Sequence, residues 1–220
     1  MKKTIIILAA MVLIGGTATA QEEKAKKSTS FDVEIGGGAG FGNLNGNLAD
    51  FMAANHPASD YKETIPLSVQ IHLADVFKWR NLCIGLHANV ESSYSASVAN
   101  QYTESENALA FLSLGYDINL CKNFSVQPNV GFGVSSSQTY LASKRSGVDF
   151  VQSYTTSNLI VPLTLNLWWN VEDEAQFGFY LGYNLNIKQV GSTCITGLES
   201  EVDGLRLTPT SFNAGILCRF

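Results

Sequence analysis

The sequence predicts an all-β chain: a single eight-stranded antiparallel up-and-down transmembrane β-barrel, with a short helix in the first extracellular loop. Three observations predict it. The stretch Leu159–Trp169 (LIVPLTLNLWW) is apolar at every odd position, a period of two that marks a strand with one apolar face. It is longer than the ~5–6 residues of an ordinary strand and matches the ~9–11 that a tilted strand needs to cross a bilayer. After a turn at Asn170–Gln176 the pattern returns in Phe177, Phe179, Leu181, Tyr183, Leu185 and Ile187, opposite Gly178, Tyr180, Gly182, Asn184, Asn186 and Lys188. Finally, charged residues make up only 15 % of the 220, against about 25 % in soluble domains.

The chain divides into a leader, a tether and one barrel domain. Lys2 and Lys3, the apolar run Ile5–Ile14 and the small residues Ala18-Thr19-Ala20 form a secretory signal over residues 1–20, cleaved before Gln21. The run is too short for a spanning helix, so a membrane anchor is the weaker reading. Loss of Lys2 and Lys3 takes the formal charge from −5 to −7. An acidic exported chain has no electrostatic footprint for nucleic acid. Residues 21–30 (QEEKAKKSTS) are charged and without period, as in a periplasmic tether.

The barrel occupies residues 31–220. Its first strand, Phe31–Phe41, sets Phe31, Val33, Ile35, Gly37, Ala39 and Phe41 against Asp32, Glu34, Gly36, Gly38 and Gly40. Glycine on the inner wall of a narrow barrel relieves crowding; a phosphate loop is excluded because no Lys-Ser/Thr follows. The first long connection, Gly42–Glu63, holds a helix signal: Asn47 as cap, Leu48, Phe51 and Met52 on one side, Pro57 as stop. His56, Ser59 and Asp60 follow it, a trio of hydrolytic residue types without a supporting shell, read as ordinary loop polar residues. Further strands are expected at Thr64–Ala74, Leu82–Tyr94, Ala110–Asn119, Phe124–Ser135, Leu159–Trp169, Phe177–Lys188 and Phe212–Phe220. Connections alternate long and short, so residues 43–63, 95–106, 136–157 and 189–206 are expected outside the cell and the short turns in the periplasm. Asp75–Asn81 is read as one such turn.

Side-chain parity then assigns roles. Phe31, Phe124, Trp169, Phe177 and Phe220 lie on the apolar face at turn-side ends, where an interfacial aromatic girdle belongs, with Phe41 and Tyr94 toward the opposite rim. Phe111, Trp168, Tyr180, Lys188, Leu217 and Arg219 point inward, leaving little room for an open pore, since eight strands enclose a space that side chains fill. A lumen charge cluster is expected from Asp32, Glu34, His72, Asp117 and Arg219, with Glu91 and Lys188 forming a separate pair or layer nearer the outer rim. Arg219 on the last strand must meet the first strand, so it is expected to bond Asp32 or Glu34 through its planar fork. His72 and His87 face inward on adjacent strands, but two histidines without further ligands assign no metal. Cys83 and Cys121, at turn-side ends of neighbouring strands in an oxidising compartment, are expected within disulfide reach. Cys194 and Cys218 are expected unpaired. No cofactor is implied.

The cleaved signal, the eight alternating strands, the repeated Ile65-Pro66-Leu67 and Val161-Pro162-Leu163 openings and the terminal Phe220 resemble the small outer-membrane β-barrels of the Bacteroidetes type, a family similar to OmpX and the transmembrane domain of OmpA. The resemblance covers Phe31–Phe220 and rests on pattern, so no catalytic residue is carried over. It implies a place in the cell outer membrane, contact with outer-membrane lipid, and recognition of Phe212–Phe220 by the barrel-assembly machinery. A soluble lipocalin-like barrel would instead put the apolar face inside; the Gly/Ser/Asn-rich second face argues against it. Three function classes follow: a non-enzymatic barrel displaying loops for envelope integrity, adhesion or binding of an extracellular ligand; a narrow path for a small or apolar solute; and a lipid-modifying enzyme. The last needs a nucleophile and base within hydrogen-bond reach, and parity pairs no Ser with a His.

Overall fold

The computed structural model describes residues 29–42, 46–55, 67–96, 101–145, 148–172, 175–195, 199–201 and 204–220. The leader, residues 21–28 of the tether, and His56, Ser59 and Asp60 lie outside them. The elements are β1 (Thr29–Phe41), α1 (Leu48–Asn55), β2 (Leu67–Trp79), β3 (Leu82–Ala96), β4 (Gln101–Tyr116), β5 (Ile118–Cys121), β6 (Phe124–Arg145), β7 (Val148–Glu172), β8 (Ala175–Ile195), β9 (Glu199–Glu201) and β10 (Phe212–Arg219). Thr29 and Ser30, read as the end of the tether, already pair with Trp79 and Lys78.

The sheet runs β1-β2-β3-β4-β6-β7-β8-β10 and closes through β1 and β10, all antiparallel. The short β5 continues β4 past Asp117, whose N–H donates to Asn81 O at 2.7 Å, and β9 caps the far end of β8. That gives a ring of eight strands with no free edge, the one strand architecture that satisfies its backbone in lipid. Beyond the paired seam residues, Val33 and Phe220 exchange both backbone bonds at 3.0 Å, so the last residue is tied into the closure.

Period two decides which face meets what. The outward side of the barrel strands is mostly apolar and open: thirty large hydrophobics are exposed among the described residues, including Ile71, Leu112, Phe132, Leu165, Phe179 and Ile216. A soluble monomer rarely shows an apolar patch above a few hundred Å². The inward side is buried and polar, including Glu34, Gln70, His72, Asn107, Gln127, Asn166 and Arg219. This is the inverse of a ligand-carrying soluble barrel and the arrangement of a membrane barrel. From Phe31 to Phe41 the strand climbs ~34 Å, or ~26 Å across the membrane at a ~40° tilt, close to the ~25 Å apolar band of such barrels. No helix among the described residues is long and apolar enough to cross a membrane.

Three expectations about elements need correction. Residues 75–79 are not a turn: β2 runs on to Trp79, and the connection is the two residues Arg80 and Asn81. The alternation continues there, but Asp75 falls on the outward face and disguises it. The expected polar loops 95–106, 136–157 and 189–206 are in large part strand, because β4, β6, β7 and β8 pair well past the apolar belt, with Ser143 still opposite Phe150. The helix is present, with Leu48 and Met52 fully buried. Asn47, however, does not spend its side chain on the helix amides: Nδ2 donates to Gly204 O at 2.7 Å and Oδ1 accepts from Arg206 N at 2.6 Å.

Candidate functional site

Register sets the lumen out in rows. One row reads Arg219, Glu34, Ala74, His87, Phe111 and Gly133 on successive strands. A small residue follows each pair of large ones, so long side chains can meet over Ala74 and Gly133. Arg219 is 2 % exposed and Glu34 1 %. Arg219 Nε donates to Glu34 Oε1 at 2.8 Å, and Nη2 donates to the same oxygen. Nη2 also reaches Gln127 Oε1 at 2.6 Å, and Nη1 reaches Gln176 Oε1 at 3.1 Å. The guanidinium lies over Trp168, 3.9 Å from the ring centroid, and Trp168 Nε1 donates to Gln127 Oε1 at 2.8 Å. A buried cation needs its donors occupied, and these neighbours occupy them. The fork does not span two carboxylate oxygens as the sequence suggested: both nitrogens take Oε1, and Glu34 Oε2 has no hydrogen-bond partner.

Asp32 and Asp117 stand just below, joined by a lysine that sequence reasoning had left in a turn. Lys78 Nζ lies 3.0 Å from Asp117 Oδ2 and 3.5 Å from Asp32 Oδ2. Arg219 Nη1 is 4.0 Å from Asp117 Oδ2, which links the two groups.

Beside Glu34 stand the two histidines. His72 Nδ1 lies 2.6 Å from Asn89 Oδ1, and His87 Nε2 lies 2.6 Å from Ser113 Oγ. His72 Nε2 is 3.4 Å from His87 Nδ1 and 3.8 Å from Glu34 Oε2. The His87 ring stacks on Phe111 at 4.6 Å and 7°. The sequence reading found no Ser beside a His; the structure supplies Ser113, because Gly85 stands opposite Ser113 and leaves space for the His87 ring to lean over.

Glu91 forms a second layer, without the expected cation. Its row is Gly38, Gln70, Glu91, Asn107 and Ser137. Gln70 Nε2 donates to Oε1, Thr210 Oγ1 donates to Oε1 at 2.5 Å, Thr210 N to Oε2 at 3.2 Å and Asn107 Nδ2 to Oε2 at 3.3 Å. Lys188 is exposed and plays no part. The reason is a break in register: Asn186 pairs with Ile160 but Lys188 with Leu159, so Ile187 is an extra residue on β8. One inserted residue turns the following side chains to the other face. Sequence parity carried to Lys188 without seeing it.

Above Glu91 the mouth is filled by chain that sequence analysis read as solvated loop. Leu48 and Met52 of α1 meet Leu205 and Leu207, and both pairs pack on Leu141 and Tyr154 of the wall. Backbone carbonyls of the inner segment are held from the wall: Thr156 Oγ1 and Asn158 Nδ2 each donate to Leu207 O at 3.0 Å, Gln189 Nε2 to Leu205 O at 2.6 Å and Asn184 Nδ2 to Thr210 O at 2.9 Å. The pattern Leu205-Arg206-Leu207 was the available signal.

The turn-side aromatics fall at similar heights. Phe124, Trp169 and Phe177 are successive register partners, with Phe31 opposite Phe77. Phe31, Trp169, Phe177 and Phe220 are exposed and Phe124 half-buried. Trp79 and Tyr116, also exposed, extend the set. At the other rim Phe41 faces Phe212 across the seam; the Tyr94 side chain lies outside the described residues.

The expected disulfide is not formed. Cys83 is buried, Cys121 is exposed, and both are free. Cys83 pairs with Gly115, whereas Cys121 is six residues further along the same barrel strand, about 20 Å away at ~3.4 Å per residue. A disulfide allows roughly 4.4–6.8 Å between Cα atoms. Cys218 is free, and the Cys194 side chain lies outside the described residues.

Among solved structures, a major outer membrane protein from Thermus thermophilus aligns over 88 % of this chain and all of its own, with a TM-score of 0.58 and 12 % identity. Neisserial surface protein A aligns over 89 % of this chain and 98 % of its own (TM-score 0.45, 11 % identity), and the attachment invasion locus protein Ail of Yersinia pestis over 86 % and 97 % (TM-score 0.41, 11 % identity). No family model and no curated protein sequence matches the chain. With its closed ring of eight strands, polar lumen and apolar outer wall, the chain has the fold of the small outer-membrane β-barrels.

Proposed function

We propose that this is a non-enzymatic outer-membrane protein: a rigid barrel, seated in outer-membrane lipid after export, that holds surface loops for envelope integrity, adhesion or binding of an extracellular ligand. The observation that carries the reading is the filled interior. The Arg219–Glu34 layer, the Glu91 layer and the apolar mouth cluster around Leu205 and Leu207 succeed one another along the lumen. A barrel built this way invests its inner wall in stiffness and offers its outer ends for contact. The strands that run past the apolar belt, β6 and β7 above all, lift their connection well clear of the lipid surface.

Shortening the β6–β7 hairpin tip, residues 142–151, tests this in cells. The reading expects a folded, heat-modifiable barrel with lost surface binding or raised detergent sensitivity. Unchanged binding and envelope resistance after shortening each outer loop in turn would remove it. The enzymatic alternative has one observation in its favour, the 2.6 Å contact between Ser113 and His87. Ser113 is buried on the turn side of the Glu91 layer, away from the outer mouth. Labelling of Ser113 by a fluorophosphonate probe in the folded protein would revive an acyl-transfer reading.

A further inference from the structure

We propose that Glu34, His72 and His87 form a lumenal three-ligand site for one divalent transition-metal cation of the zinc class, bound through Glu34 Oε2, His72 Nε2 and His87 Nδ1. The three residues are buried, and their ligand atoms all lie within 4.8 Å of one another. The His72–His87 and His72–Glu34 separations, 3.4 Å and 3.8 Å, lie at or a little above the ~3.4 Å edge of a tetrahedron with ~2.05 Å bonds. A bound ion needs movements of no more than a few tenths of an ångström on those two edges, while the His87–Glu34 edge, within 4.8 Å, is the one left to close on binding.

The surrounding contacts orient the set for a cation. Asn89 Oδ1 accepts a hydrogen bond from His72 Nδ1–H, and Ser113 Oγ is placed to accept one from His87 Nε2–H. Outer partners of this kind fix the tautomer of metal-bound histidines. That proton placement leaves lone pairs on His72 Nε2 and His87 Nδ1, facing each other with no donor between them. Reversing the Ser113 contact turns His87 Nδ1–H toward His72 and satisfies that pair, but Glu34 Oε2 stays unpartnered in both arrangements. Arg219 occupies Glu34 Oε1 alone and so leaves Oε2 for the ion.

Formal charge points the same way. The connected group holds three carboxylates, Asp32, Glu34 and Asp117, against two fixed cations, Lys78 and Arg219, before either imidazole is counted. The carboxylates outnumber those fixed cations by one, so a cation beside Glu34 offsets a charge that is costly in a buried lumen. Two imidazole nitrogens and one carboxylate oxygen select a zinc-class ion over magnesium or calcium, which take oxygen ligands. The Phe111 stack and the small residue Ala74 between Glu34 and His87 keep the rings in place.

The test uses the full chain, refolded in detergent with cobalt(II) or zinc(II) and washed with a weak chelator. Folding is followed by heat-modified gel migration. The proposal expects about one metal ion per chain, a tetrahedral cobalt visible spectrum, and at least tenfold weaker binding in His72→Phe and in His87→Phe, which keeps the ring stack on Phe111. Gly85→Ala, whose Cβ would collide with His87 Nε2, should weaken binding while removing no ligand. His56→Gln should leave it unchanged. If the histidine variants do not fold, the wild-type cobalt spectrum decides alone. A folded wild type that shows no tetrahedral cobalt band, or that holds no more zinc than a folded His72→Phe/His87→Phe double variant, overturns the site. Loss of binding in His56→Gln overturns it equally, by moving the metal to the loop.

Discussion

Two glutamates among the described residues are buried in this lumen, and they are stabilised by different means. Glu34 meets a guanidinium that gives two bonds to one oxygen and none to the other. Glu91 meets no cation among the described residues, yet both its oxygens are saturated by neutral donors from Gln70, Asn107 and Thr210. The first arrangement is built from strand residues brought together by register. The second depends on Thr210, delivered by a segment that folds back into the mouth. A membrane barrel of this width thus has two ways to neutralise a buried carboxylate: an opposite charge fixed by the seam, or a folded-in loop that supplies amides and hydroxyls. The first belongs to barrel closure and the second to mouth closure.

Removing the seam cation should have the largest effect. Arg219→Ala strands Glu34 and takes the guanidinium off Trp168, at a cost on the order of 3–5 kcal/mol for a buried pair broken on one side, less where water enters. Heat-modified gel migration measures it, and melting equal to wild type would show that the seam is held by its backbone ladder and lipid-facing side chains. Next comes Thr210→Val, which removes a hydroxyl between Gln70 and Glu91 and should cost about 1–3 kcal/mol. Its distinguishing readout is limited proteolysis, which should cut the 204–210 segment faster while the barrel remains heat-modifiable. Unchanged cleavage would separate Glu91 from mouth closure. The smallest effect is expected at Lys188. An exposed side chain away from special features changes stability by no more than about 0.5 kcal/mol, so Lys188→Ala should melt with wild type. A loss comparable with Arg219→Ala would place Lys188 in the lumen after all.

Legibility in the sequence follows the same division. Strand count, facing and closure were readable because period two and antiparallel register are local rules that repeat. Arg219 on the seam beside Asp32 or Glu34 follows from them directly, and the observed register selects Glu34; the inward placement of Phe111, Trp168, Tyr180 and Leu217 follows likewise. The rule fails wherever a residue is inserted, as at Ile187, and Lys188 was misplaced by that one step. It was also masked at Asp75, where an outward carboxylate hid the end of β2 and with it Lys78, the cation between Asp32 and Asp117. Cys83 and Cys121 share a strand end in the sequence but not a height in the barrel, because β5 extends beyond the part that β3 reaches. Contacts made by Asn47 and Thr210 join positions more than a hundred residues apart through irregular chain, and no periodicity reports them.

Single-channel recording in planar bilayers tests the filled lumen most directly. The wild-type barrel should show no stable conductance steps at low or high salt. A Leu205→Asp/Leu207→Asp variant, which breaks the apolar seal between α1 and the wall, should stay closed as well or flicker only briefly, because the Arg219 and Glu91 layers remain beneath it. Adding Arg219→Ala and Glu91→Ala to that background should give the first sustained current. Stable, salt-dependent conductance in the wild-type protein would contradict the account and turn the barrel into a transport path.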